Sequence, residues 1–371
     1  MRHFYLDFIF TAIALAIAAW WGYSHGGMGG LIATLSITAI LAVMEISLSF
    51  DNAVVNASVL KGWDEFWKKI FLTVGILIAV FGMRLVFPIV IVAVTADLAM
   101  VEVIKLALYQ PEEYSARLMA HHAEISAFGG IFLLLVFLNF IFDDKEVHWF
   151  NWLESRLAKL GKVDAMSVFV ALIVLMIAVS FADPEQSAAV LIAGVWGILV
   201  YLGVQVVSGM LEGDLEEDLE NAEAGSGAAA TSAIMKGGII GFLYLEVLDA
   251  SFSFDGVIGA FAITNDVIVI MLGLAIGAMF VRSMTIFLVD KGTLDEFVYL
   301  EHGAHYAIGA LAIIMLLSVK FHVPELITGL IGIAFIGWAL LASLKHRKQQ
   351  DKLTAESVEN VKQKIIILEY R

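Results

Sequence analysis

The 371 residues include no cysteine and four prolines, and 16% are charged, against about 25% in soluble domains. Without cysteine there is no disulfide framework, no thiolate metal site and no redox pair, so any metal must be held by oxygen or imidazole. So few charges exclude a soluble globular enzyme. Base is scarcer than acid: 22 Lys and Arg face 37 Asp and Glu, a formal charge of -15, which leaves no overall basic surface for nucleic acid or anionic lipid. No G-x-x-x-x-G-K-[ST] run is present, so no phosphate-cradling loop points to nucleotide-driven work. The apolar N-terminus lacks an Ala-x-Ala pattern and ends in Trp20, Trp21 and Tyr23, which reads as a retained first span rather than a cleaved leader.

What fills the chain instead is apolar: 60% hydrophobic residues and a mean hydropathy of +0.89, gathered in blocks of about 20, the length that crosses a bilayer. The expectation is an all-α polytopic membrane protein of about ten transmembrane helices. They fall near 4–24, 30–60, 66–95, 126–142, 165–182, 187–211, 234–262, 266–289, 303–319 and 324–344. As domains these become a first helix (1–29) and a first repeat (30–142) with an outer excursion at 96–125 carrying a short amphipathic helix. A cytoplasmic loop and two linking helices (143–211) follow, then an acidic flexible loop (212–233), a second repeat (234–345) and a cytoplasmic tail (346–371). Cytoplasmic loops collect Lys and Arg. With both termini inside, the inner loops hold thirteen, among them Lys61, Lys68, Lys69, Lys145, Arg156 and Lys291, and the outer ones only Lys105, Arg117 and Lys320. The expected location is a bacterial-type inner membrane.

An internal repeat is visible. Glu45-Ile-Ser-Leu-Ser-Phe-Asp51-Asn and Asp249-Ala-Ser-Phe-Ser-Phe-Asp255-Gly share acid, Ser, Ser, Phe and Asp at one spacing; in the spans that follow, Gly75 precedes Arg84 as Gly273 precedes Arg282, by nine residues. Five spans separate the copies, an odd number, so they enter the membrane in opposite directions. Such an inverted repeat of three-helix units is a transporter architecture with its site near the midplane.

Five acids fall within spans: Glu45, Asp51, Glu246, Asp249 and Asp255. Each costs about 2.5–3.5 kcal/mol or more if ionised in lipid, so such residues face a partner, a cavity or a pathway. Glu45 and Asp51 would stand about 120° apart on an unbroken helix, so a shared site asks for a kink. Ser47, Ser49, Ser251 and Ser253 can weaken the helices, and each motif helix is expected to break just before its second Asp. With Asn52 and carbonyl oxygens, the acids suit Mg²⁺, Ca²⁺ or Mn²⁺; Arg84 and Arg282 are assigned counter-ion or gating roles. Two plainer readings use the same residues: ion pairs that merely fix helix packing, and a proton pathway without metal. His121 and His122 could capture metal but read as solvated, His302 and His305 have a better ligand spacing but take the plain structural reading too, and the acidic run from Glu212 to Glu223 reads as a linker that could weakly concentrate cations.

The two motifs also resemble a known family. MEISLSFDNAVVNASVL resembles the first signature of the TerC family of tellurium-resistance membrane proteins, an acid followed by Leu-Ser-x-Asp-Asn, and LEVLDASFSFDGVIGAFAITND resembles its second. The likeness covers most of 30–142 and 234–340. The family's Asp-Ser-Ile-Pro-Ala is here Asp255-Gly256-Val257-Ile258-Gly259, without the hydroxyl and the Pro, as in a divergent branch. The resemblance implies a LysE-type exporter of divalent metal, chiefly Mn²⁺, with Glu45, Asp51, Asn52, Glu246, Asp249 and Asp255 as the metal path. The resulting expectation is a non-enzymatic exporter with no resident cofactor, working by alternating access on a proton or ion gradient, its partners being the bilayer and the metal, its state compatible with an oligomer. Two rivals stand beside it: a membrane scaffold in a tellurite or envelope-stress complex, and an intramembrane aspartyl hydrolase, for which the Gly-x-Gly-Asp context is missing.

Overall fold

The computed structural model describes residues 4–95, 98–143, 145, 147–160, 165–213, 238–292, 297–321, 323 and 325–369. Among them the chain is helical, with no strand. The elements are α1 (Tyr5–Leu48), α2 (Phe50–Leu60) and α3 (Glu65–Ile70), which runs on through π-helical turns at Phe71–Gly75 and Ile78–Val86. Next come α4 (Phe87–Thr95), α5 (Met100–Tyr109), α6 (Pro111–Ala120), α7 (His122–Phe142), α8 (Asn151–Leu160), α9 (Met166–Phe181) and α10 (Ser187–Gly213). The chain closes with α11 (Ile239–Ile263), α12 (Val267–Asp290), α13 (Leu300–Ser318) and α14 (Glu325–Glu369).

By length and composition, seven of the described helical stretches can cross a membrane, against ten expected spans. The difference has three physical sources. α1 carries two expected spans in 44 residues. α9 is apolar but only 16 residues long. α11 is 25 residues long but contains three acids. The excursion at 96–125 holds two short helices, α5 and α6, rather than one. Residues 214–237 lie outside the described residues, and with them most of the expected acidic loop 212–233.

α1 is folded on itself at Gly26 (φ -146°, ψ 16°) and Gly27 (φ 57°, ψ -143°); the second conformation is open to glycine at no steric cost. A Cβ on Gly22 would lie 2.6 Å from the Thr34 hydroxyl, whereas twelve residues of straight helix span about 18 Å. The chain has therefore doubled back, and two 20-residue legs lie side by side. Both legs pack along α12. Phe4 and Phe8 of the first meet Phe280 and Phe287, and Gly273 and Gly277 admit the second, where an added Cβ would lie 3.0 Å from the Thr38 carbonyl and 3.1 Å from that of Ala42. Small residues permit this approach where lipid supplies no hydrophobic drive between helices. Asp266 fastens the corner: its Oδ1 accepts from the Ile268 and Val269 N–H groups at 3.0 and 3.2 Å and caps α12, and its Oδ2 accepts from Trp21 Nε1 at 2.8 Å.

On the other side α7 is packed between α10 and α13. Its buried Ile131, Phe132, Leu133 and Leu135 join Leu245, Leu248, Ile308 and Ala312 in one apolar core that also takes in α2. α2 is buried from Asp51 through Leu60, so a half-helix opening on a carboxylate sits inside the protein and away from lipid.

Candidate functional site

The first motif helix ends at Leu48 and α2 begins at Phe50, with Ser49 between them at φ -101° and ψ 16°. The Ser49 hydroxyl turns to the Glu45 carboxylate, donating to Oε1 at 3.2 Å. The break falls two residues before Asp51 and brings Glu45 and Asp51 to one cavity of about 40 Å³, lined also by Ser49, Asn52, Gly256 and Thr328. That volume holds about three waters. Gly256 keeps the cavity open toward Glu45, since a Cβ there would lie 2.7 Å from Glu45 Oε2. The second motif behaves differently: α11 runs unbroken from Ile239 to Ile263, so the interruption expected before Asp255 is absent. The serines differ at one position: Ser251 bonds the Val247 carbonyl at 3.0 Å as its counterpart Ser47 bonds that of Val43 at 2.8 Å, but Ser253, the counterpart of Ser49, has its hydroxyl buried without a partner, the carboxylate four residues before it being turned to Arg282.

Each arginine pairs with the motif that precedes it. Arg84 sits in the π-helical turn, where its Nη1 donates to the Ala79 carbonyl five residues back at 2.5 Å and its Nη2 donates to Glu45 Oε1. Arg282 Nη2 donates to Glu246 Oε1 at 3.1 Å and to Asp249 Oδ2 at 3.3 Å. Its Nη1 reaches the Phe71 carbonyl at 3.3 Å, and its guanidinium lies 4.0 Å from the centre of the Phe71 ring. π-turns of this kind are frequent at functional sites. Glu45, Arg84, Glu246, Asp249 and Arg282 are all buried, and a charge there is tolerated only when paired.

Asp51 is the exception. It is 5% exposed, faces the cavity, and its Oδ1 accepts from the Asn52 N–H at 3.1 Å. No basic group pairs with it among the described residues. Its place in the first turn of α2 gives partial compensation from the helix dipole. The Asn52 amide oxygen is buried without a hydrogen-bond donor. Asp255 lies on α11, its side chain outside the described residues. The structure thus brings Glu45, Asp51 and Asn52 to one place and Glu246 and Asp249 to another. Among the described residues no group of three His, Asp or Glu side chains converges on one point that could hold a metal ion.

His302 and His305 pack rather than converge. The His302 Nε2 lies 3.0 Å from the Val147 carbonyl and 3.5 Å from Glu154 Oε2, and the His305 ring stacks on Phe140 at 3.7 Å. Glu154 anchors α8: burial alone would raise its carboxyl, but the hydrogen bond with His302, the Phe150 N–H, the His302 charge and the Tyr306 hydroxyl outweigh burial and hold it down at about 2. Lys145 is lowered to about 8 by burial, against the pull of Glu154, Asp143 and Glu301. On the far side His121 lies 3.5 Å from Glu124 and His122 is 3.3 Å from the Ser126 hydroxyl.

Buried polar groups that sequence reasoning does not single out include Asp7, Thr38 and Asn56. Asp7, 1% exposed, accepts from the Ser283 hydroxyl at 2.8 Å, and its other oxygen has no partner. Its position three residues into the first expected span was the available signal. Asn56, one turn beyond Asn52, is also buried with its amide oxygen unpartnered, and the four-residue spacing could have disclosed it.

An all-helical chain with membrane-length apolar helices, ionic groups sealed among them and lipid-facing surfaces such as Ile13, Ile17 and Leu341 is an integral membrane protein. Residues 50–350 match the family described as "Protein of unknown function (DUF475)", and the chain belongs to that family. It is 28% identical over 163 residues to the uncharacterized membrane protein YceF of Bacillus subtilis (strain 168); the match covers 43% of this chain and 61% of YceF, so the chain spans less than two thirds of that relative's length. No solved structure matches. The TerC resemblance is thereby overturned: the matching family is DUF475, and the relative found bears only the description of a membrane protein. Tellurium resistance, and the scaffold role tied to it, have no support.

Proposed function

We propose that the protein is a membrane transporter for a hard divalent cation, with the cavity between Glu45, Asp51 and Asn52 as its site. The observation that carries the reading is Asp51: a buried carboxylate beside a water-sized cavity, without a basic partner among the described residues, next to an amide oxygen without a donor. A carboxylate in that position is stable only with a cation beside it or a proton on it, and the oxygen donors around it favour the cation. Oxygen donors of the carboxylate, amide and hydroxyl kinds suit Mg²⁺, Ca²⁺ or Mn²⁺. Two carboxylates do not complete a coordination shell, so the cation retains water and takes Ser49 or Thr328 for the remainder. The preference for manganese and for outward movement came with the TerC resemblance and falls with it; what the oxygen donors support is the ion class alone.

Arg84 gives the site two conditions. With Arg84 on Glu45 the local charge is neutral there and the cavity presents Asp51 alone; a cation drawn to both acids displaces the guanidinium. The Glu246, Asp249 and Arg282 cluster is the corresponding group in the other repeat, drawn shut on Phe71. Reciprocal packing supports an inverted repeat: Gly273 and Gly277 of the second copy lie on the first motif helix at Leu41 and Glu45, and Gly75 of the first copy lies on Glu246 and Arg282 of the second. Counting both legs of α1, with α9 and α11 added to the seven long helices, supports ten passes, and the distribution of Lys and Arg favours both termini in the cytoplasm. Alternating access driven by a proton or ion gradient follows as the mode of work.

The pairing reading retains Glu246 and Asp249, whose bonds to Arg282 need no substrate. Asp51 separates the two. In proteoliposomes loaded with a metal-sensing dye, the wild-type chain should admit Mn²⁺, Mg²⁺ or Ca²⁺, and Asp51→Asn, which removes charge and keeps shape, should lose at least 90% of that flux while melting as the wild type does, roughly the tenfold effect of 1.4 kcal/mol. Wild-type flux in Asp51→Asn ends the proposal.

A further inference from the structure

We infer that α8 is an interfacial helix whose outward face, Trp152, Arg156 and Lys159, binds the headgroups of acidic phospholipids; the inference stands apart from the transport reading. α8 has two unlike faces. Glu154 and Ala158 are buried and, four residues apart, share one of them. The Glu154 carboxylate accepts from the Trp149 and Phe150 N–H groups at 3.1 and 3.2 Å and from the Tyr306 hydroxyl of α13 at 3.0 Å. Ala158, a full turn further on, is still covered, so α8 lies on the bundle and does not project from it. Trp152, Arg156 and Lys159 follow one another at spacings of four and three residues, which places them together on the other face, and all three are exposed. Glu154 is the only acid in α8 and is turned inward. The outward face is therefore basic, in a chain whose formal charge is -15.

The depth of α8 follows from its neighbours. On α14, Trp338, Leu341, Lys345 and Lys348 are exposed and recur at spacings of three and four residues along one face. That face is apolar through Leu341 and basic from Lys345, the change expected where a span leaves hydrocarbon for headgroups, with a tryptophan at the boundary. α8 begins beside this boundary: the Trp149 and Phe150 rings lie 5.2 and 5.4 Å from the Trp338 ring. Trp152, one turn on, is 66% exposed, and the Arg156 guanidinium lies 5.0 Å from the centre of its ring. An indole at this level enters the acyl boundary while the cations beside it reach the phosphates, the guanidinium as a two-pronged donor. The distribution of Lys and Arg favours the cytoplasmic side for this end of the bundle, and the cytoplasmic leaflet is the one that carries acidic lipid.

The experiment uses the full chain in phosphatidylcholine vesicles. Because the sequence has no cysteine, Ser155→Cys, beside Trp152 and Lys159 on the outward side of α8, takes a single fluorophore. Its quenching by phosphatidylglycerol spin-labelled near the headgroup is compared with quenching by phosphatidylcholine bearing the same label at the same mole fraction. The acidic lipid should associate about tenfold more strongly, since each Lys or Arg near an acidic surface contributes a factor of about five. Adding Arg156→Gln and Lys159→Gln should lower that ratio by about fivefold or more, whereas Arg156→Lys, which keeps the charge, should hold it within about twofold. A ratio below about twofold in the parent, an unchanged ratio in the double variant, or quenching by aqueous iodide but by neither lipid overturns the inference. So does a preference that emerges only after the seven acids between Glu212 and Glu223 are replaced by their amides, which would assign the face to the chain's own acidic run.

Discussion

Arg282→Met tests how the intramembrane acids are kept in place. The native guanidinium lies 3.1 Å from Glu246 and 3.3 Å from Asp249, donates to the Phe71 carbonyl at 3.3 Å and sits 4.0 Å over that residue's ring. All three ionic residues are 7% exposed or less. Methionine keeps most of the length and removes the charge, leaving two carboxylates buried without compensation. Breaking a buried pair in this way costs about 3–5 kcal/mol, and the lost cation–π contact overlaps with that figure rather than adding in full. At about 2 °C per kcal/mol for a chain of this size, the melting temperature in detergent should fall by about 6–10 °C. The triple variant Arg282→Met, Glu246→Gln, Asp249→Asn removes every charge in the cluster. It should recover all but about 2 °C, since a buried ion triad replaced by neutral groups is often no less stable. Thermal unfolding followed by intrinsic tryptophan fluorescence reads both. A single variant that melts as the wild type does, or a triple variant as unstable as the single one, would show that shape rather than charge holds the cluster, and the argument would fail.

Two further outcomes follow from other parts of the molecule. Gly27→Ala forces a side chain into φ 57° and ψ -143°, a region essentially reserved for glycine, and should cost about 1–3 kcal/mol, whereas Gly26→Ala, at φ -146° with nothing within 4 Å, should be nearly neutral; equal melting temperatures for the two would contradict the hairpin at this corner. Glu154, held at about 2 against an ordinary 4.5, adds stability that is complete above its unfolded value and is lost as the pH falls through the folded one. The wild type should therefore lose stability faster than Glu154→Gln between pH 4.5 and pH 2, and parallel curves from the two proteins would rule out the anchoring role.

Much of the candidate site's geometry is legible because its signals are local. Ser49 breaks the first helix two residues before Asp51, as the motif's serines suggested, since a hydroxyl competing for backbone or carboxylate is a short-range effect. The same reasoning fails for α11, where Ser253, at the position of Ser49, finds no acceptor and the helix runs on; which acceptor a serine meets depends on what lies alongside. The hairpin in α1 turns at Gly26 and Gly27, in the gap between the spans expected near 4–24 and 30–60, and glycine is the residue that a reversal at positive φ requires. Asp7 went unnoticed because a lone acid near a span's end looks like a terminus until Ser283, 276 residues away, is seen to donate to it.

The sequence by itself determined the environment and the cast: apolar blocks of membrane length, charge too sparse for a soluble surface, acids and arginines at repeated spacings. These follow from composition and periodicity, which every segment carries independently of its neighbours. Only the tertiary structure decided which charges meet. Arg84 reaches Glu45 across 39 residues, Arg282 reaches Glu246 across 36, and Asp51 is left facing the cavity with Asn52 beside it. In a low-dielectric interior the fate of a carboxylate is set by what lies within a few ångströms of it, and that is a property of packed helices, not of any one stretch of chain.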